Sequence, residues 1–143
     1  MRPGDRPPAR HPPAHHPPPA RPAAVDVAAA ILVFGGLFGF SQLAFGEYVV
    51  TGSLPAKDPI VGVAFIAYAA SIVLGVVVRI GRGWLPALNF ALLVAFLYLP
   101  AAGRPLPLAL ALAHGLAAAI LFGQRRWFSE MRAWRSAQPD IGA

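Results

Sequence analysis

Among the polar side chains inside the long apolar stretches of this chain, four are the candidates for chemistry there. They are Tyr68, Ser71, Asn89 and His114. Polar groups at membrane depth are costly and often mark a functional site. His114 is the titratable residue near the middle of such a stretch whose charge can change around neutral pH. Two interpretations stay open: a protonation site, or a hydrogen bond to Tyr68 that fixes the register of two helices.

The spacing places His114 and Tyr68 at the same predicted depth. His114 follows Pro105 by nine residues, and Tyr68 follows Pro59 by nine residues. Because a helix rises 1.5 Å per residue, each lies about 14 Å from the start of its stretch. Ser71 is one turn further along the face of Tyr68. Asn89 lies nearer the other side, opposite an alanine ridge, and could contact another helix or a partner.

Other catalytic chemistry has little support. The chain has no cysteine. Its six acidic residues lie at the ends and in the predicted loops, and they are Asp5, Asp26, Glu47, Asp58, Glu130 and Asp140. No nucleophile elbow, zinc-protease motif or phosphate-binding loop occurs. One histidine at membrane depth cannot supply two axial haem ligands, and the histidines of the tail lack acidic or cysteine co-ligands. We therefore expect no enzyme, no cofactor and no metal.

The elements that position these side chains are four apolar stretches of matched length. The predicted spans are about 27–46, 59–78, 84–102 and 106–124, within residues 25–124. Twenty helical residues cover about 30 Å, the thickness of the hydrocarbon core. Hydrophobic residues make up 57% of the chain and charged residues 13%, the reverse of a soluble domain. The sequence predicts an all-α integral membrane protein, an up-down-up-down bundle of four transmembrane helices joined by short loops.

The basic residues fall unevenly between the two sides of this bundle. Ten lie before the first span, between the second and third, or after the fourth, whereas the other two loops hold only Lys57 and Arg104. Because positive residues stay cytoplasmic, both termini should be inside, in a bacterial inner membrane. This distribution explains the net charge of +6 without nucleic acid.

The two tails differ in character. Residues 1–24, rich in proline, arginine and histidine, should form a disordered cytoplasmic tail. Residues 125–143 should form a basic amphipathic extension with a stripe of Trp127, Met131 and Trp134. We expect that stripe to rest in the lipid interface, with a partner groove as the alternative. Trp84, Trp127 and Trp134 would then be interface anchors.

Small residues recur four apart in every span and predict where helices touch. The candidate packing positions are Gly35, Gly39, Gly75 and Gly115. In lipid, such residues let backbones approach closely. We expect contacts within the bundle, with a Gly35/Gly39 homodimer as the alternative.

These observations favour a non-enzymatic accessory or assembly subunit that acts through helix contacts. Its partners would be the lipid bilayer and a membrane protein or a second copy. The alternative is a small homo-oligomeric transporter or pore with His114 and Tyr68 at a midplane site. The alternative predicts a flux that depends on pH.

Overall fold

A computed structural model of the protein describes residues 17–43, 59–101, 103 and 105–138. The described residues form five α-helices, which we number in chain order. They are α1 (Ala23–Ser41), α2 (Pro59–Arg79), α3 (Trp84–Tyr98), α4 (Pro105–Gly123) and α5 (Arg125–Ser136), with a 3-10 turn at Leu99–Ala101 after α3. The predicted helical class is confirmed. Most of the predicted proline-rich tail, residues 44–58 and the last five residues lie outside the described part.

Three of these helices are long and apolar enough to cross a membrane. They are Ala23–Ser41, Gly62–Arg79 and Pro105–Gly123, whereas α3 is a shorter apolar helix. Large apolar side chains on all four are exposed, for example Phe34 (67%), Ile66 (71%), Phe96 (66%) and Leu112 (65%). A soluble monomer rarely exposes so much contiguous apolar surface. The fold is compatible with a helical membrane bundle.

Prolines and glycines define several helix ends. Pro22 precedes α1 in an extended conformation, and α2 and α4 both begin with a proline, whose missing N–H costs nothing at that position. Gly81 (φ 75°) and Gly83 (φ 58°) make the turn between α2 and α3 in a left-handed conformation that favours glycine. Pro100 falls in the 3-10 turn, where it cannot continue the α-helical ladder of α3.

The first helix begins four residues before the predicted start of span 27–46. Ala23 and Ala24, predicted to belong to the tail, are helical, and Asp26 lies in the first turn. A carboxylate is favourable there because the amino end of a helix carries partial positive charge. Asp26 also pairs with Arg21 and Arg79, each at 3.1 Å. The carboxylate of Asp26 therefore belongs to the first turn of α1, and the helix does not begin after it.

The four apolar helices pack around one another. α1 packs along α2 and α4, and α3 packs along α4 and, over a shorter length, along α2. Residue pairs down the α1/α2 contact run in opposite directions, from Asp26 with Arg79 to Gly39 with Tyr68. These two helices are therefore antiparallel, and the short turn at 80–83 returns the chain in the same manner.

The core lies at one end of this bundle, which we call the closed end. It is formed where α1 and α3 begin and where α2 and α4 finish, and α5 packs across it. Its buried residues are Val25, Ala28, Ala29, Leu32, Val78, Ala87, Ala91, Ala117, Ala118, Leu121, Trp127, Phe128 and Met131. We call the opposite end the cavity end, because the four apolar helices leave a cavity there.

The fifth helix differs from its expected position. Its apolar stripe was expected to rest in lipid, but Trp127 and Met131 are buried against the turn at Gly81, at 3.2 and 3.3 Å from the position of an added Cβ. Phe128 stacks on Trp84 with ring centroids 6.2 Å apart. The left-handed turn leaves a hollow that these side chains fill. The stripe therefore packs within the protein.

Candidate functional site

A glycine-rich face of α1 makes the first wall of the site. A Cβ on Gly36 would lie 2.7 Å from the backbone oxygen of Tyr68, so α1 and α2 are in close contact there. One helical turn away, the Ser71 hydroxyl donates a hydrogen bond of 2.7 Å to the carbonyl oxygen of Leu32. This bond satisfies a buried hydroxyl and joins the two helices at a defined register.

Tyr68 lies in the space that the next glycine leaves. The aromatic ring of Tyr68 is 2.2–2.6 Å from the position of an added Cβ on Gly39, so only glycine allows the ring to lie there. Phe40 contacts the other side of the ring, with centroids 5.9 Å apart. Tyr98 of α3 lies close to Tyr68. Tyr68 thus lies where α1, α2 and α3 approach one another.

His114, on α4, packs against the same face of α1 as Tyr68, one helical turn away. Its side chain is buried, at 4% exposure, with Cε1 and Nε2 each 3.1 Å from the position of an added Cβ on Gly35. Its Nδ1 is 2.9 Å from the carbonyl oxygen of Leu110, an acceptor that requires a proton on Nδ1. In the neutral ring, Nε2 is then left as a hydrogen-bond acceptor.

These side chains border one cavity of about 440 Å³ at the cavity end of the bundle. All four apolar helices contribute to its wall. The lining residues are Gly35, Phe38, Gly39, Gln42, Val63, Ala64, Ala67, Tyr68, Ser71, Phe90, Val94, Leu97, Tyr98, Leu106, Pro107, Leu110 and His114. Most of these are apolar or small, with a few hydrogen-bonding groups that converge from α1 to α4. A volume of this size is typical of small-molecule sites.

The chemistry of this wall suits binding. Among the described lining residues, none carries a carboxylate or a fixed positive charge. The tyrosine hydroxyls can donate or accept a hydrogen bond, and Nε2 of His114 can accept one. Within the described part of the chain, no group of three His, Cys, Asp or Glu residues is placed to hold a metal ion. The arrangement can therefore orient a mostly apolar molecule through one or two polar groups.

The predicted polar residues separate into two places. The structure brings His114, Tyr68 and Ser71 to the wall of one cavity, and the hydrogen bond of His114 is to Leu110 and not to Tyr68. Asn89 lies elsewhere, exposed on the outer surface of α3. The two rings thus border one cavity, one helical turn of α1 apart, and no hydrogen bond joins these two described residues.

The predicted packing glycines also separate. Gly35 and Gly39 receive the rings of His114 and Tyr68. A Cβ added on Gly75 would lie 2.7 Å from the side chain of Val33 and 2.8 Å from the carbonyl oxygen of Ala29. These three lie at contacts within the bundle. Gly115 has no described atom near the position of an added Cβ. Its face is therefore bare in a single chain.

Two contributors to the site are not predicted from the sequence. Tyr98 lies near the end of its apolar stretch, away from the predicted midplane site, and Gly36 falls outside the four-residue spacing of Gly35 and Gly39. The signal for Gly36 was present, since three glycines within five residues leave a wide smooth face. Nothing in the spacing indicated that Tyr98 faces Tyr68.

The tryptophans predicted as anchors all lie at the closed end. Trp84 stacks on Phe128, Trp127 is buried, and Trp134 packs against the core cluster. They are remote from the cavity.

Comparison of the chain with protein-family models finds no match, and comparisons with curated proteins and with solved structures find none either. The function is therefore argued from the geometry of the site.

Proposed function

We propose that the protein is an integral membrane protein that crosses the bilayer four times. Three helices have the length and composition of spans. The fourth, α3, continues through the 3-10 turn to Ala101, and together they extend about 28 Å, close to the thickness of the hydrocarbon core. The closed end, with its arginines, is the cytoplasmic end of a bacterial inner membrane, which puts both termini inside.

We further propose that its function is to bind a small, mainly apolar molecule in the cavity, without catalysis. One observation carries this proposal: a cavity of about 440 Å³ is walled by all four apolar helices and bordered by His114, Tyr68 and Tyr98. The ligand class follows from that wall. It is a molecule with an aliphatic or aromatic body and one hydroxyl, carbonyl or ring-nitrogen group.

The binding role is favoured over a pore through a single chain. A path from the cavity to the other side would have to separate the fully buried side chains of Val78, Ala91 and Leu121 at the closed end. Binding requires no such movement. If the protein is a transporter, this closed end has to open after the ligand is bound.

The experiment is saturable photolabelling of the full chain in lipid nanodiscs. The probe is a diazirine derivative of octanol, and labelled residues are mapped by peptide mass spectrometry. We expect labelling of the cavity wall that excess octanol suppresses, and unsuppressed labelling of lipid-facing side chains such as Ile66. Labelling of both regions that responds equally to octanol would contradict the proposal.

A matched pair of variants tests whether the label is bound in the cavity. Ala67→Phe adds a ring where the side chain lines the cavity, whereas Ala69→Phe adds the same ring on an exposed face two residues away. We expect the first variant to lose the saturable label and the second to keep it. Loss of the saturable label in both variants, or in neither, would show that the label is not bound in the cavity.

A second candidate function is the accessory subunit, and a specific observation favours it. Asn89 exposes an amide on α3, and Gly115 on the neighbouring α4 has a bare surface. In lipid, a polar group and a small residue on an outer face are features of contacts between helices of different chains. Purification from native membranes after mild crosslinking tests this role. A stoichiometric partner that Asn89→Leu removes would support it, and recovery of the chain without any partner would count against it.

A further inference from the structure

A second hollow lies at the closed end, about 260 Å³ in volume, between the α2–α3 turn and α5. We call it the arginine pocket. Three of its lining residues are Arg82, Arg132 and Arg135, and Trp84 and Phe128 form its apolar floor. It shares no residue with the cavity of the proposed ligand, so the two sites are independent.

The pocket is built by specific contacts. The two terminal nitrogens of the Arg135 guanidinium donate to backbone carbonyls of the turn, Nη1 to Gly81 at 3.0 Å and Nη2 to Ile80. Those carbonyls belong to the α2–α3 turn, in which Gly81 has a left-handed conformation. Arg135 is therefore fixed in place, and Arg82 and Arg132 are left with free guanidinium groups at the rim.

The positive charge of the pocket is not balanced within the described part of the chain. The ion pairs found there use Arg21, Arg79 and Arg126, and none involves an arginine of the pocket. Burial, together with the nearby charge of Arg82, lowers the pKa of Arg135 from its ordinary value. Like charges held this close repel each other, and a bound anion would relieve that repulsion.

The start of α3 adds a second source of positive potential. Gly83 and Trp84, the first residues of this 15-residue helix, line the pocket, and no side chain caps the helix there. The first N–H groups of a helix lack intrahelical partners and favour an anion, and phosphate is the common one. Arginine forks add bidentate donors that match phosphate oxygens.

We propose that the arginine pocket binds a phosphate group, carried by a phospholipid headgroup or free in solution. Arg82 and Arg132 supply the free donors, Arg135 the fixed positive charge, and the start of α3 the backbone N–H groups. This choice of source rests on the proposed membrane topology, in which Trp84 lies at the cytoplasmic interface where indole rings meet headgroups. Basic pockets at that end of a bundle suit anionic lipids.

The test is native mass spectrometry of the delipidated full chain in detergent. The probes are phosphatidylglycerol and a diacylglycerol with the same acyl chains, which lacks the phosphate. We expect one phosphatidylglycerol to be retained per chain and the diacylglycerol to be lost. Millimolar inorganic phosphate separates the two sources: displacement of the lipid indicates a site for free phosphate, and persistence of the lipid indicates a headgroup site.

Two double variants remove the same charge from the same end. Arg82→Gln with Arg132→Gln empties the pocket of its free donors, whereas Arg125→Gln with Arg126→Gln alters arginines that do not line it. Since charged hydrogen bonds contribute about 1.5–3 kcal/mol, we expect retention to fall roughly tenfold or more in the first variant. The second should change it by less than about threefold.

Three results would overturn the proposal. They are equal retention of both lipids, equal losses in the two double variants, and failure of both phosphatidylglycerol and inorganic phosphate to bind. A measurement on the unmodified protein guards against a variant that does not fold. Phosphatidylglycerol or inorganic phosphate should raise the thermal midpoint of unfolding above that with diacylglycerol, and an unchanged midpoint would also contradict the site.

Discussion

The two ends of this bundle are built from the same four helices and differ in what fills the space between them. At the closed end, alanines bring the helices together, and α5 adds Trp127, Phe128 and Met131 as a lid of large side chains. At the cavity end, glycines on α1 receive Tyr68 and His114, and the helices leave a hollow of about 440 Å³ between them. Small residues thus serve close packing at one end and make room for polar rings at the other.

The two ends differ because they have different numbers of side chains to fill the space between the helices. Helix contacts in lipid depend on packing and on a few hydrogen bonds, since the hydrophobic effect contributes little there. The closed end has a fifth helix to fill the gaps that four helices leave. Within the described residues, the cavity end has no corresponding element. Its polar groups satisfy themselves locally, as His114 does through Leu110.

The largest effect should come from removing the ring that fills the closed end. Phe128 is 1% exposed and contacts both Trp84 and Trp127. We expect Phe128→Ala to lower the free energy of unfolding by about 3 kcal/mol, because the ring leaves a cavity that its neighbours cannot close. Phe122→Ala, at an exposed ring of α4, should cost much less. Denaturant unfolding of both variants in detergent gives the difference, and equal costs would show that the closed end is not the packed core.

A glycine substituted at each end compares the two contacts directly. An added Cβ on Gly75 meets the backbone of α1 at Ala29, which cannot move alone, so Gly75→Ala should cost about 1–3 kcal/mol. An added Cβ on Gly39 meets the ring of Tyr68, which can swing into the cavity. We therefore expect Gly39→Ala to cost less than Gly75→Ala and to reduce saturable photolabelling.

Gly115→Ala is the control for both glycine variants. Nothing described lies near its added Cβ, so the gain in helix propensity should leave stability unchanged or raised by about 0.5 kcal/mol. Thermal unfolding monitored by circular dichroism ranks the three. A larger cost at Gly39 than at Gly75 would mean that the cavity does not give the ring room to move.

A smaller effect is expected from the ion pairs that join α1 and α2 at the closed end. Asp26 pairs with Arg21 and Arg79, all of them partly exposed. Because solvent screens such pairs, Asp26→Asn should cost no more than about 1 kcal/mol, and the loss should shrink in high salt. Glu130→Gln, which breaks a more exposed pair with Arg126, should cost less still. Unfolding midpoints at low and high salt check this, and a loss that salt leaves unchanged would contradict the electrostatic origin.

The smallest effect concerns a single buried nitrogen. Nε1 of Trp127 has no hydrogen-bond partner among the described residues. Removal of an unsatisfied buried donor offsets the loss of ring volume, so Trp127→Phe should leave the unfolding free energy nearly unchanged. Trp127→Ala should be strongly destabilising. A large loss in the phenylalanine variant would show that this nitrogen does have a partner.

Several features could be predicted from the sequence, because they depend on local chemistry. The apolar stretches and the prolines at 59 and 105 define helices α2 and α4 within a residue or two. The equal spacing of His114 and Tyr68 from those prolines predicts their common depth. The four-span topology and the orientation of the termini stay predictions.

Other features depend on how helices are rotated and inclined, which spacing does not specify. Four-residue spacing marks Gly75 and Gly115 alike, yet only Gly75 faces another helix. The face of Tyr98 that meets Tyr68 follows from the crossing of α2 and α3. The burial of Trp127 against Gly81 requires the left-handed turn, which glycine permits but does not impose.

The most direct test of the two-ended account uses single cysteines, because the natural chain has none. Ala64→Cys places a thiol on the cavity wall, and Ala91→Cys places one in the fully buried core of the closed end. The measurement is the rate of reaction with N-ethylmaleimide in nanodiscs, with and without saturating octanol. We expect the thiol at position 64 to react and to be protected by octanol, and the thiol at position 91 to react only after unfolding. Equal rates at the two positions, or a thiol at position 64 that octanol does not protect, would contradict a cavity that binds small apolar molecules at one end of a closed bundle.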